Sequence, residues 1–183
     1  MKVHFFVEGD ADKSFMMALF PQLPPESIDI LNGKDFNDKN ILRIKEMFVL
    51  GKKVCLFIDA DKDYDSRLEY YTDKKAEIGD YNLFLMPDNS NNGNLESIYE
   101  AIAKNTSFWT CFETYNNCIE SLNYKRTLPK SKVYAYIEAL RDNENSKDLF
   151  NKTNFPKLIN QHFDLNHEYL KPLKDFVNSH ISQ

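Results

Sequence analysis

Three acidic residues follow two apolar segments of the chain. Glu8 comes directly after Val3–Val7, and Asp59 and Asp61 come directly after Val54–Ile58. Carboxylates that lie close together repel each other and raise each other's pKa unless a cation lies between them. Mg²⁺ binds oxygen ligands and keeps several of its waters, so two or three carboxylates suffice to hold it. The sequence therefore predicts that Glu8, Asp59 and Asp61 hold a divalent metal ion, Mg²⁺ or alternatively Mn²⁺.

Further acids fall near the same positions. Asp12 lies at the start of the helix predicted after the first strand, Asp88 lies just beyond the fourth strand, and Glu96 lies at the start of the next helix. An acid at a helix start also has a purely structural explanation, because it can cap the helix or interact favourably with its dipole. Acids also end strands simply because loops are solvated. Both explanations stay open for Asp12 and Glu96.

The elements that must position these acids alternate along the chain. Apolar runs predict four strands, and amphipathic or polar segments between them predict helices. The predicted strands are Val3–Val7, Ser27–Leu31, Val54–Ile58 and Asn82–Met86. The alternation predicts an α/β fold with a mainly parallel, Rossmann-like sheet, flanking helices and right-handed crossovers. Ligands of such sheets bind at the carboxyl ends of the strands, where these acids fall.

The second part of the chain has a different pattern. Strand signals fade after about residue 105, and three segments have helical spacing, 108–122, 132–141 and 170–180. We therefore expect an α/β core over residues 1–105 and a helical extension packed on it over residues 106–183.

Composition limits the classes of partner. The net charge is −5, so there is no overall basic field to attract nucleic acid, and a nucleic-acid partner would have to be bound by local Lys and Arg residues or by the metal. Cys55, Cys111 and Cys118 lack metal-site spacing and are expected to be reduced thiols. No apolar stretch has the length of a membrane-spanning helix, so we expect no membrane association and a cytoplasmic location.

Two other interpretations of the segment DADKDYD fail on particular residues. A calcium loop of the EF-hand type needs Gly at its sixth position and Glu at its twelfth, where this chain has Tyr64 and Tyr70. A phosphoaspartyl hydrolase usually carries Asp-x-Asp after its first strand, with Thr or Val two residues after the second Asp. Here the pair follows the third predicted strand, and the residue two positions after Asp61 is Asp63.

The order of these motifs resembles a known domain. The sequence VEGxxD at residues 7–12 resembles the first motif of the Toprim domain, and IDAD at residues 58–61 resembles its second. Toprim domains occur in topoisomerases, bacterial primases and the overcoming-lysogenization-defect (OLD) nucleases. More closely, the chain resembles the Toprim-like DUF3226 family, in the element with Asp59, Asp61 and Arg67, in the segment LFLMPDNSNNGNLESI and near Lys132. The resemblance is strong over residues 1–104 and looser beyond.

The resemblance implies roles for particular residues. In Toprim enzymes the positions of Asp59 and Asp61 bind Mg²⁺, and that of Glu8 is a metal ligand or a general acid or base. Glu96 would complete a second metal site, as a carboxylate does in OLD-type nucleases. Candidates for contacting phosphate or steadying the charge of the transition state are Lys13, Arg67 and Lys132.

Two functions follow as hypotheses. The first is a Mg²⁺-dependent phosphodiester-processing enzyme, a nuclease that acts on DNA or RNA. The alternative is a non-catalytic Toprim-like binding or regulatory module that works with a partner ATPase or helicase.

The chain departs from other Toprim proteins in two features. Topoisomerase and primase versions usually carry a Gly shortly after Asp-x-Asp, whereas here YDSR follows at residues 64–67. The ATPase motif GxxxxGK[ST] does not occur in the sequence either, so the ATPase half of OLD proteins is absent from it.

Overall fold

Four parallel strands form one sheet in the order β2-β1-β3-β4. The computed structural model of the protein describes residues 2–140 and 155–181. The strands are β1 Val3–Val7, β2 Ile28–Ile30, β3 Lys53–Asp59 and β4 Asn82–Met86. The helices are α1 Asp10–Leu19, α2 Asp38–Val49, α3 Tyr64–Ile78, α4 Leu95–Ile102, α5 Ser107–Ser121, α6 Pro129–Ala139, α7 Phe155–His162 and α8 Lys171–Ile181, with short 3₁₀ turns at Pro25–Ser27 and Glu168–Leu170. The predicted α/β class and parallel sheet are confirmed.

The pairing of the two central strands fixes where the first acids lie. In the parallel register Val7 is opposite Phe57, so β1 and β3 end side by side at the same edge. The chain leaves β1 towards β2 on one side and later returns to β3 on the other. The loops after β1 and β3 therefore diverge, and this change of direction is where α/β sheets open a crevice for ligands.

Helices cover both faces of the sheet because each central strand is apolar on both sides. Phe6 and Leu56 face a core shared with α2 and α3. On the other face, Phe57 lies in a larger core shared with α1, α4 and the C-terminal helices. Phe176 of α8 packs on Phe57 and Phe84, with ring centroids 5.5 and 5.3 Å apart. The C-terminal helices thus complete the layer that covers this face.

Several boundaries differ from those predicted. Strand β2 is shorter than the predicted Ser27–Leu31, since Ser27 belongs to a 3₁₀ turn. Helix α3 begins at Tyr64, because the Asp63 side chain accepts a hydrogen bond from the Ser66 amide at 3.1 Å. Helix α7 was not predicted, and residue 141, the last of a predicted helix, lies outside the described residues.

Within the described ranges, no helix has both the length and the apolar character needed to cross a bilayer.

In the loop after β4, both the backbone conformation and the neighbouring atoms disfavour any residue larger than glycine at position 93. Gly93 has φ +147°, and a Cβ there would lie 2.9 Å from Pro87 Cδ and 3.0 Å from Ser97 Oγ. Its carbonyl accepts a hydrogen bond from the Asp61 amide at 2.6 Å, so it also holds the loop after β3. We predict that Gly93→Ala lowers the free energy of unfolding by about 3 kcal/mol, measured by urea denaturation, because backbone strain and steric overlap add.

Gly33 provides a matched control for that substitution. It has φ +127°, but a Cβ there would meet no atom within 4 Å. Gly33→Ala should therefore cost about 1 kcal/mol from the backbone strain alone. Equal losses for the two variants would contradict the steric part of the explanation.

Candidate functional site

Glu8 and Asp59 connect three elements at the carboxyl end of the sheet. One oxygen of Glu8, Oε2, accepts a hydrogen bond from the Asp59 amide at 3.2 Å, across the ends of β1 and β3. Asp59 Oδ1 in turn accepts from the amide of Leu95, the first residue of α4, at 3.0 Å. Each carboxylate is thus held through one of its oxygens.

Two further carboxylates come from the first turns of helices that begin at this edge. Asp12 accepts a hydrogen bond from the Gly9 amide at 2.8 Å and is only 8% exposed. The expectation that Asp12 could itself be the N-cap is wrong: Gly9 is the N-cap of α1, and Asp12 is the third helical residue. Glu96 lies in the first turn of α4. The N-termini of α1 and α4 carry partial positive charge, which favours these acids.

These four carboxylates line one cavity of about 370 Å³. Together with Asp10, they form the acidic part of the cavity lining. The other side is formed by C-terminal helices, through Lys130 and Tyr134 of α6 and Phe155 of α7. The ammonium of Lys130 lies 5.4 Å from the centre of the Tyr134 ring. The cavity is therefore of a size that binds small ligands, with acids on one wall and a cation on the other.

Burial and mutual repulsion weaken the acidity of three of these groups. Burial raises the pKa of Asp59 to about 9, and the charges of Asp12, Glu8 and Glu96 act in the same direction. Burial raises the pKa of Asp12 to about 7, reinforced mainly by the charge of Glu8. Burial also raises the pKa of Glu8, against the hydrogen bond from the Asp59 amide, which lowers it. A cation bound among these groups would relieve this penalty.

Asp61 lies outside the lining of that cavity, although it shares a neighbouring cavity with Glu96 and its charge raises the pKa of Glu8. Its backbone is left-handed, with φ +56°, and its amide donates to the Gly93 carbonyl at 2.6 Å. Its carboxylate forms an ion pair with Lys34 at 2.6 Å and lies 3.8 Å from Arg67. The turn in the backbone therefore separates the two acids of the Asp-x-Asp motif.

The other candidates from the sequence lie in different surroundings. Lys13 donates to the Ile28 carbonyl at 2.5 Å, and Lys132 pairs with Glu100 at 2.8 Å and lies over the ring of Trp109. Asp88 organises its own loop by accepting hydrogen bonds from the amides of residues 90 and 91 at 3.0 and 2.9 Å. The structure therefore brings Glu8, Asp59, Asp12 and Glu96 together in one cavity, and places Arg67 with Asp61, but Lys13, Lys132 and Asp88 elsewhere.

Three residues near the site were missed by sequence reasoning. Lys34 lies in the loop after β2, and a search of the strand-end loops for cations as well as acids would have selected it. Lys130 and Tyr134 reach the cavity through the packing of α6, for which the sequence offers no local signal.

The side chains fit a hard divalent cation in their chemistry. Carboxylate oxygens are the ligands that Mg²⁺ prefers, and Glu8 and Asp59, which are joined by the hydrogen bond from the Asp59 amide, both line the cavity. Among the described residues, no group of three or more His, Cys, Asp or Glu side chains is already drawn together closely enough to hold a metal ion. Two carboxylates with water in the remaining positions are the donors this arrangement offers.

The chain belongs to the family described as "Protein of unknown function (DUF3226)", whose model matches residues 2–182. The search of curated proteins and the search of solved structures each found no match.

Because the raised pKa values belong to the folded state, stability should depend on pH. An Asp carboxyl titrates near pH 4 in an unfolded chain, whereas in the folded protein the pKa of Asp59 is about 9. Between these values the folded state binds more protons, so the free energy of unfolding falls as pH rises, by at most about 1.4 kcal/mol per pH unit for each such carboxyl. In EDTA, we predict that Asp59→Asn reduces this slope in urea denaturation between about pH 5 and about pH 8.

Asp63→Asn is the control for that series. Asp63 is exposed, and its hydrogen bonds with Ser66 lower its pKa, so its carboxyl is ionised in both states over this range. The asparagine keeps an oxygen for the helix cap, and the slope should match that of the unmodified protein. A slope that Asp59→Asn leaves unchanged would contradict the assigned repulsion.

Proposed function

We propose that this member of the DUF3226 family is a Mg²⁺-dependent phosphodiester-processing enzyme of Toprim type, a nuclease that acts on DNA or RNA. The observation that carries the proposal is the pairing of Glu8 with Asp59 across the ends of adjacent central strands, in a cavity that three more acidic residues also line. The order of VEGxxD and DxD along the chain supports the Toprim relationship.

The geometry suggests a division of roles. Glu8 and Asp59 would hold the ion through their second oxygens, with Glu96 on the same cavity wall as a ligand to a second ion. Bound Mg²⁺ neutralises phosphate charge and lowers the pKa of water, which makes phosphodiester hydrolysis feasible near neutral pH. Asp12, whose pKa is about 7, can accept or donate a proton near neutral pH, which suits a general acid or base.

Metal binding can be tested separately from catalysis. We predict that Mg²⁺ at about 100 times its Kd raises the free energy of unfolding by about 2.7 kcal/mol, because the ion binds the folded state alone. Asp59→Asn should remove this gain, since the asparagine keeps the hydrogen bond to Leu95 but loses the charge that binds the cation. Asp63→Asn should respond to Mg²⁺ as the unmodified protein does.

Catalysis requires a second assay with the same variants. Labelled single- and double-stranded DNA and RNA are incubated with Mg²⁺ or Mn²⁺, and cleavage is followed over time. We predict cleavage of at least one of these substrates by the unmodified protein and by Asp63→Asn, and a rate about a hundredfold or more lower for Asp59→Asn. Equal cleavage by all three proteins would indicate a contaminating nuclease and would refute the proposal.

The ion pair at Asp61 supports a second candidate function. Because Lys34 already neutralises the second acid of the Asp-x-Asp motif, the site would fit a binding or regulatory module that keeps the fold, works with a partner ATPase or helicase and catalyses nothing. Stabilisation by Mg²⁺ without cleavage of any of the four substrates would favour this module over the nuclease.

A further inference from the structure

Two cations converge on one carboxylate beside the acidic cavity. Lys34 Nζ lies 2.6 Å from Asp61 Oδ2, and Arg67 contacts the same oxygen from 3.8 Å. The Arg67 guanidinium also lies 3.6 Å from Asp35 Oδ1. Asp35 is largely exposed, with 76% of its side chain accessible, whereas 35% of the Asp61 side chain is accessible. The better-enclosed anion position between the two cations is therefore the one that Asp61 occupies.

The loop that carries Lys34 is held on several sides. The amide of Gly33 donates to the Glu8 carbonyl at 3.2 Å, and the hydroxyl of the buried Tyr71 donates to the carbonyl of Lys34. The next aromatic residue, Phe36, packs against Tyr71 with ring centroids 5.2 Å apart. Lys34 thus projects from a segment fixed to the end of β1 and to the core under α3, which preorganises its ammonium for an anion.

These cations act on the metal-site candidates as well. The positive charges of Lys34 and Arg67 both lower the pKa of Glu8, against the effect of its burial. The charge of Asp61 raises the pKa of Glu8, so an anion in this position interacts with Glu8 electrostatically. Cleavage of a phosphodiester requires that its phosphate lie near the catalytic carboxylates, and this position meets that requirement.

We propose that Lys34 and Arg67 form a phosphate-binding subsite, and that the carboxylate of Asp61 binds there in place of phosphate when no substrate is bound. Phosphate oxygens accept the same charge-assisted hydrogen bonds from ammonium and guanidinium groups as a carboxylate does. The proposal rests on the proposed function for the identity of the substrate, a phosphodiester, and adds the residues that bind its phosphate. Lys34 is assigned as a binding residue and not as a proton donor.

The proposal makes two substitutions act in opposite directions. Asp61→Asn removes the internal competitor and should tighten the binding of inorganic phosphate about tenfold. Lys34→Met keeps the aliphatic stem but removes the charge, and should weaken phosphate binding about tenfold. Binding is measured by phosphorus NMR titration in EDTA, so the result does not depend on the metal. Asparagine tolerates the left-handed backbone of residue 61, so Asp61→Asn should fold.

Lys62→Met serves as the matched control. Lys62 is exposed and adjacent to Asp61 in the chain, so its substitution changes the local charge equally but leaves the ion pair with Lys34 in place. Phosphate affinity should change much less for Lys62→Met than for Lys34→Met. The proposal is overturned if the two lysine variants lose the same affinity, if Asp61→Asn does not gain affinity, or if none of the proteins binds phosphate.

A parallel titration with Mn²⁺, in which the free ion is counted by electron paramagnetic resonance, separates this inference from the proposed function. Opposite changes in phosphate affinity without Mn²⁺ binding would support the subsite and refute the metal-dependent function. Mn²⁺ binding that Asp59→Asn abolishes, with phosphate affinity unaffected by Lys34→Met, would support the metal site and refute the subsite.

Discussion

The candidate site depends on carboxylates that are held together against their own repulsion. Glu8 and Asp59 follow neighbouring parallel strands, and the hydrogen bond from the Asp59 amide to Glu8 joins the two strand ends. The acids cannot move apart without disturbing the central pair of strands, which is buried on both faces. Burial therefore raises the pKa of both groups, and the fold maintains a local electrostatic penalty that a bound cation would relieve.

The same edge of the sheet carries an acidic cavity and, beside it, a cluster of ion pairs. The acidic cavity is lined by residues of α1, α4 and α6, whereas Lys34 belongs to the loop after β2 and Arg67 to α3. The left-handed residue Asp61 lies between them, held by its hydrogen bond to the loop after β4. A substrate with a phosphate between these regions would have anionic oxygens near the cations and its ester bond near the carboxylates. The negative net charge of the chain is compatible with this arrangement because the attraction is local.

Much of this fold follows from patterns within single segments. The apolar run of β3 predicts a strand that is buried on both faces, and the alternation of strands with helices predicts parallel pairing. Glu8 and Asp59 could be placed at one edge because that inference needs only the directions of the strands. The separation of Asp61 from Asp59 could not be predicted, since it depends on the φ of one residue and on a contact with Gly93, thirty-two positions along the chain. The cavity wall at Tyr134 depends likewise on how α6 packs.

The capping roles of these acids do not account for their positions. Asp12 closes the first turn of α1 through the Gly9 amide, and Asp59 accepts from the first amide of α4. A helix cap contributes about 1 kcal/mol, and Ser or Thr supplies it without a charge. An ionised carboxylate in the same place must also be desolvated, and the cost rises when other acids are near. Asp12 is only 8% exposed, and its burial and the charge of Glu8 raise its pKa to about 7, in the direction that this cost requires. Stability alone would therefore favour neutral residues at these positions. Acids that destabilise the metal-free fold are expected where their charge is needed for a ligand, which supports a cation as the partner of this cluster.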